Sequence, residues 1–165
     1  MIADSDQPVL DLSAPPQTSA LLNNDLQSPD RNAILATSQD AEAVYEAGFQ
    51  AILEGDYAFA EGQFRQFLEL FDNHDRSADA THWLGESLLQ QSSFVEAADV
   101  FQRGFATYGT SSRAPEMLLK LGVALSNSGE TEVACLTYSE VERRFPDTSN
   151  AFKARLNAEI GMANC

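Results

Sequence analysis

The sequence lacks the features that membrane and secretory proteins show. No part of its 165 residues approaches the run of roughly 20 apolar residues that a membrane-spanning helix needs. The start, Met1 to Asp6, has neither the basic head nor the apolar stretch of a secretory signal. We therefore expect no membrane insertion, and these residues alone do not indicate export.

Basic residues are scarce. Ten Lys and Arg stand against 25 Asp and Glu, which gives a formal net charge of −15 at pH 7. A surface this negative repels phosphate backbones and anionic lipid headgroups. We therefore expect no nucleic-acid partner.

Cysteines are equally few, and their positions do not suggest a metal site. Only Cys135 and Cys165 occur, far from any close-spaced ligand arrangement. Two interpretations remain open from the residues: two free thiols, or one disulfide, which would require an oxidising compartment.

The first 39 residues differ in composition from the rest of the chain. They are rich in Pro, Ser, Asn, Asp and Gln, and four prolines interrupt any helical period. We predict that 1–39 is a disordered acidic linker and that 40–165 is the folded domain.

The folded part repeats with a period of 37 residues, which is the strongest signal in the sequence. A glycine inside a helix costs about 1 kcal/mol relative to alanine, so three at one repeat position imply closely packed helices. The columns are Gly48, Gly85 and Gly122; Ala60, Ala97 and Ala134; Phe64, Phe101 and Tyr138; and Phe71, Tyr108 and Phe145.

A further column predicts a turn within each repeat: Gly55, Ser92 and Gly129, followed by Asp56, Ser93 and Glu130. Ser93 and Glu96 have the spacing of a capping box. Helices are predicted near 40–54, 57–71, 77–91, 94–108, 113–128 and 131–145. A seventh, near 148–162 after Pro146, would cap the last pair.

The predicted fold is all-α, a right-handed superhelical solenoid of three tetratricopeptide-like helix pairs plus a C-terminal capping helix. The repeats are about 40–76, 77–113 and 114–147. The tetratricopeptide pattern, Leu-Gly followed by Ala-x-x-x-Phe and a late Pro, is met at Leu84-Gly85, Ala97 and Phe101, then at Leu121-Gly122, Ala134, Tyr138 and Pro146.

Several stretches from Asp40 to Cys165, about three quarters of the chain, resemble one family more closely. They are Gly55-Asp56-Tyr57, Trp83-Leu84-Gly85-Glu86, the run from Arg113 to Gly122, and Arg144-Phe145-Pro146. They resemble the C-terminal domain of the periplasmic Tol-Pal-associated cell division coordinators. Cys135 with Cys165 resembles one branch of that family.

The resemblance implies a periplasmic adaptor that contacts a Tol machinery component and a peptidoglycan synthase, and so coordinates peptidoglycan synthesis with outer-membrane constriction during cell division. It implies no enzymatic activity and no cofactor. Family members trimerise through an N-terminal coiled coil, which this sequence lacks together with a signal peptide. We therefore expect a fragment, whose oligomeric state stays open.

In a tetratricopeptide array the first helix of each pair lines the concave face, where a partner peptide binds. The alternative is that some of these residues simply pack against neighbouring helices, and Trp83 is predicted to be core. The candidate partner-binding residues are Tyr45, His82 and Leu119; Phe49, Glu86 and Val123; and Leu53, Gln90 and Asn127.

The groove is expected to be acidic and to bind basic or apolar residues. An alternative function is a generic tetratricopeptide scaffold, such as an outer-membrane assembly lipoprotein or a co-chaperone. A co-chaperone groove would contain several Lys and Arg residues that clamp a carboxylate, and the predicted groove lacks them.

Two clusters could suggest chemistry. His82 and Glu86 share one helix face, but the repeat pattern places no nucleophile beside them, so we predict no catalytic residue. Asp72, His74 and Asp75 could bind a cation, but capping of the next helix by Asp75 or Ser77 explains them better, so we predict no metal site.

Overall fold

The computed structural model describes residues 38–165, which form seven α-helices and no strands within that range. The predicted linker, 1–39, lies outside the described residues except for its last two. The helices are α1 Ser38–Glu54, α2 Tyr57–Leu70, α3 Ser77–Gln90, α4 Phe94–Tyr108, α5 Ala114–Asn127, α6 Thr131–Arg144 and α7 Asn150–Met162. None of these helices is long and apolar enough to cross a membrane.

Consecutive helices pack as antiparallel pairs, and the pairs stack into a solenoid. Helices α1, α3 and α5 (the A helices) also contact one another along the stack, which places them on its inner, concave side. The all-α tetratricopeptide-type solenoid that the 37-residue period predicts is confirmed, and the helix bounds agree within two residues.

The repeat columns form the core between helices. The alanines Ala60, Ala97 and Ala134 are fully buried, and the aromatic column of Phe64, Phe101 and Tyr138 fills the space beside them. Each ring occupies the place of a missing side chain: a Cβ at Gly85 would overlap the ring of Phe101, and one at Gly48 would lie 3.0 Å from Phe64 Cζ. Small residues thus let neighbouring helices approach closely.

The turns within pairs follow the predicted chemistry only in part. Gly55 and Gly129 adopt φ of 78° and 92°, and Ser92 adopts φ of 61° in the same left-handed region. Asp56 caps α2 by accepting a hydrogen bond from the Phe59 backbone N–H at 3.1 Å. Ser93 stands at the N-cap of α4 without a side-chain hydrogen bond, so the expected capping box does not form.

Helix α3 also begins differently from the expectation. Its N-cap is Arg76, which makes no side-chain cap bond, and Asp75 does not cap it. The Ser77 hydroxyl instead donates to the Phe71 carbonyl at 2.9 Å, and Nδ1 of His74 accepts from the Arg76 backbone N–H at 3.2 Å. These bonds order the connection without a capping acid.

Cys135 in α6 and Cys165 after α7 form a disulfide, with their Cα atoms 5.6 Å apart. The bond ties the chain beyond α7 back onto the last helix pair. Of the two interpretations that the sequence leaves open, the structure contains the bonded one.

Candidate functional site

The concave face contains an open cavity of about 320 Å³ beside α3. Residues from five helices and from the α4–α5 connection line it, because the A helices meet on this side of the stack. The lining residues are Ile52, Tyr57, His82, Trp83, Glu86, Gln90, Arg113, Glu116, Lys120 and Arg155.

The first predicted column does not present its side chains on this surface. Tyr45 and Leu119 are buried, and His82, although it lines the cavity, is only 5% exposed. The next residues along the A helices, Trp83 and Lys120, are half-buried and line the cavity instead. At this level of the A helices the position next to the predicted one therefore faces the cavity, and Trp83 is part of the groove as well as of the packing.

The other two predicted columns lie nearer the surface. Phe49 is 36% and Leu53 67% exposed, and both stand on α1. Glu86 and Gln90 line the cavity, whereas Val123 is half-buried and Asn127 exposed outside its lining. Apolar surface is thus concentrated at the α1 side of the groove.

An aromatic network holds Trp83 in place. Its Nε1 donates to the Tyr45 hydroxyl at 3.1 Å, and its ring meets Phe49 edge to face with centroids 5.3 Å apart. The guanidinium of Arg113 lies over the indole, with Cζ 5.6 Å from the ring centroid. Packing on both sides keeps the indole in one orientation facing the groove.

Four ion pairs link neighbouring repeats along the concave face, and we call them the inter-repeat ion pairs. Arg76 Nε contacts Glu42 at 3.0 Å, and Lys120 Nζ contacts Glu86 at 2.8 Å. The other two pairs are Arg113 with Asp79 and Arg155 with Glu116. Glu42, Asp79 and Glu116 share one repeat column, and Arg76 and Arg113 share another.

These pairs correct the expected charge of the groove. An acidic groove without a Lys and Arg cluster was expected, but Arg113, Lys120 and Arg155 all line the cavity. The chain's overall excess of acid is therefore not a property of this face. Arg76 and Arg113 are 37 residues apart, and this spacing was a signal in the sequence that could have revealed the inter-repeat ion pairs.

Two neighbouring residues that line the cavity, His82 and Glu86, have shifted pKa values. Burial, and after it the charge of Arg113, lower the pKa of His82 to about 4 against the opposing effect of Glu86 and Glu116. Burial alone would raise the pKa of Glu86, but the hydrogen bond and charge of Lys120 outweigh it, so the net pKa is lowered. At neutral pH His82 is uncharged beside an ionised pair.

His82 and Glu86 both line the cavity, together with Tyr57 and Lys120. No Ser, Thr or Cys is among the lining residues, and Nδ1 of His82 has no hydrogen-bond partner among the described residues. Asp72, His74 and Asp75 likewise form no set that could hold a metal ion in the described part of the chain. Asp72 accepts from the Asn73 amide, and the His74 ring packs edge-on against Phe67.

Comparison with known proteins supports the fold. No protein-family model and no curated protein matches the sequence. The solved structure of PcrH from Pseudomonas aeruginosa is similar, with a TM-score of 0.68 and 17% identity over 78% of this chain and 95% of PcrH. MamA from residue 41 onward, from Desulfovibrio magneticus RS-1, has a TM-score of 0.61 and 21% identity over 76% of this chain and 67% of MamA.

A chain of the CopN–Scc3 complex is similar over 90% of this chain and 79% of its own length, with a TM-score of 0.65 and 18% identity. The Arabidopsis OM64 tetratricopeptide domain matches at a TM-score of 0.58 and 15% identity over 73% of this chain and 96% of that domain. At these identities the likeness establishes the tetratricopeptide-type solenoid and nothing more specific.

Proposed function

We propose that the concave face of residues 38–165 binds a partner polypeptide and that the protein acts as an adaptor, not as an enzyme. The open cavity beside Trp83 supports this most directly, because its lining combines Ile52 and Trp83 with several charged groups, and the partly exposed Phe49 of α1 packs against Trp83. Such a mixture suits a peptide that buries one apolar residue and pairs its polar groups. The solved tetratricopeptide-type structures, one of them a protein complex, are consistent with this class of function.

We further propose that the adaptor works in the periplasm with the Tol-Pal system, and that it coordinates peptidoglycan synthesis with outer-membrane constriction during cell division. The run from Arg113 to Gly122, the most specific part of the resemblance, forms the start of α5 and contributes three cavity residues, Arg113, Glu116 and Lys120. A disulfide between Cys135 and Cys165 persists only in an oxidising compartment, which suits the periplasm. The proposed partners are a Tol machinery component and a peptidoglycan synthase.

Site-specific photo-crosslinking in the native cell tests both levels of the proposal. A photoreactive residue replaces Gln90, which is exposed in the groove, or Gln102, which is exposed on α4 away from the A helices. The proposal expects crosslinks from position 90 to a Tol component or a peptidoglycan synthase, and none of these from position 102.

Adding Phe49→Ala and Leu53→Ala to the position 90 variant should remove the crosslinks without unfolding the domain, because both side chains are partly exposed. If position 90 crosslinks to other proteins, and these crosslinks depend on Phe49 and Leu53, the adaptor role is supported and the Tol-Pal role is rejected. Equal crosslinking from positions 90 and 102 would reject the groove.

A further inference from the structure

Two of the three cations that line the concave cavity are more exposed than their acidic partners, and the third, Arg113, is about as exposed as its partner Asp79, 30% against 34%. The Lys120 side chain is 25% exposed and that of Glu86 15%, while Arg155 is 53% exposed and Glu116 23%. Two carboxylates are thus partly covered while their cations face the opening. With three cations and two carboxylates among its lining residues, the cavity has a small excess of positive charge although each cation is paired.

Hydrogen-bond donors also remain unused there. Arg113 donates to Asp79 through Nε and has no other hydrogen bond to a described residue, so both of its Nη groups are left over. Lys120 has three donor hydrogens and contacts only Glu86 among the described residues. His82 Nδ1 adds a buried polar atom without a partner in the described part of the chain. The cavity therefore offers hydrogen-bond donors and positive charge, a combination that suits a carboxylate.

The cations form a row and not a single point. Arg113 immediately precedes α5 and Lys120 follows seven residues later, which is two helical turns, or about 10 Å along the axis. In an extended peptide of the polyproline II type, residues three apart lie on the same side of the chain and are separated by about 9 Å, so two acidic side chains at that spacing match the row.

We propose that the concave cavity binds an extended acidic segment of a partner polypeptide, with two carboxylates facing Arg113 and Lys120 and an apolar residue on Phe49 and Leu53. The inference rests on the proposed binding role of the concave face and adds the chemistry of the ligand. The net charge of −15 opposes the approach of an acidic segment at long range, so recognition depends on these close contacts.

A fluorescein-labelled ten-residue peptide tests the inference against the full chain by fluorescence anisotropy. The peptide contains two aspartates separated by two residues and a leucine before the first. Control peptides replace both aspartates by asparagine, place them next to each other, or keep only a free carboxy-terminus. The first peptide should bind about tenfold more tightly than the asparagine peptide.

Neutralising one ion pair at a time tests whether Arg113 and Lys120 recognise the aspartates of the peptide. The variants Lys120→Gln with Glu86→Gln and Arg113→Gln with Asp79→Asn should each remove most of the aspartate advantage. The control, Arg103→Gln with Asp99→Asn, removes an exposed ion pair on α4 and should leave the advantage intact. Unfolding midpoints of all variants identify any loss of fold.

Equal binding of the aspartate and asparagine peptides would overturn the inference. So would equal binding of the peptide that has only a free carboxy-terminus, or an affinity advantage of the aspartate peptide that survives in both groove variants. If both peptides bind equally and Phe49→Ala with Leu53→Ala abolishes binding, the adaptor role stands and only the ligand chemistry is wrong. If neither peptide binds and position 90 yields no crosslinks, the proposed function fails with it.

Discussion

The ring of Tyr138 on α6 occupies the space where Gly122 on α5 has no side chain. A Cβ built at Gly122 would overlap Cε1 and Cδ1 of the ring. The same relation joins Gly85 to Phe101 one repeat earlier. The two helices of each of these pairs can therefore approach closely only because glycine has a hydrogen atom where other residues have Cβ.

Gly122→Ala should lower the free energy of unfolding by about 2 kcal/mol, because the overlap outweighs the better helix propensity of alanine. Urea unfolding followed by circular dichroism measures it. The matched control is Gly62→Ala on α2, where a Cβ meets nothing within 4 Å and the change should be neutral or stabilising by up to about 1 kcal/mol. Equal effects at both positions would contradict the packing account.

Tyr138→Phe should stabilise the domain by about 1 kcal/mol. The Tyr138 hydroxyl is buried without a hydrogen-bond partner among the described residues, and burial together with Glu159 raises its pKa to about 12. The other two repeats have Phe at this position. The reverse change, Phe101→Tyr, should destabilise, and a loss of stability in Tyr138→Phe would show that the hydroxyl has a partner.

Reduction of the disulfide should lower the free energy of unfolding by about 3.6 kcal/mol, the loss of cross-link entropy for a loop of this length. The sequence separation of Cys135 and Cys165 is 30 residues. Denaturation with and without reductant measures the effect. The double variant Cys135→Ser with Cys165→Ser should have the stability of the reduced protein, and reductant should not change it. An unchanged midpoint after complete reduction would contradict it.

Acidification should destabilise the domain through His82. The folded-state pKa is lowered to about 4, so between pH 6.5 and 4 the unfolded chain takes up a proton that the folded protein does not. The stabilisation is complete above pH 6.5 and falls by about 3 kcal/mol as the pH drops to 4.

Unfolding measured across this range should show a shallower slope for His82→Gln. The pKa of Glu86 is also lowered, so Glu86 adds its own pH-dependent stability, which is lost as the pH falls through its folded-state pKa. This part of the slope remains in the His82→Gln variant. A slope identical to that of the unmodified protein would reject the assignment to His82.

Ser92→Gly should stabilise the second turn by about 0.5 kcal/mol. Ser92 adopts the left-handed conformation that glycine occupies in the other two repeats, which costs a non-glycine residue about 1 kcal/mol. The greater freedom of glycine in the unfolded chain offsets part of this gain. Gly55→Ser should have the opposite effect, and thermal unfolding compares the two.

The columns of Gly, Ala and aromatic residues predicted the helix pairs closely, because packing between neighbouring helices selects small and large residues at fixed positions. The face of each A helix was harder to predict. Tyr45 and Trp83 differ by one position in the repeat, and only the relative rotation of stacked helices decides which of two adjacent positions is buried.

The charge of the groove was missed for a related reason. Overall composition averages over both faces, whereas the inter-repeat ion pairs place basic residues on one of them. Partners such as Glu86 and Lys120 are 34 residues apart, so no local pattern indicates their contact. The columns containing Glu42 and Arg76 were visible in the sequence but become meaningful only once the stacking of the repeats is known.

The inter-repeat ion pairs lie on the inner side of the stack, where successive repeats converge. Their attraction weakens as ionic strength rises, so we expect the curvature of the solenoid to respond to the salt content of its surroundings. A ligand that draws Lys120 away from Glu86 would change one of the same attractions. We therefore expect occupancy of the groove and bending of the described array to be coupled through a handful of side chains.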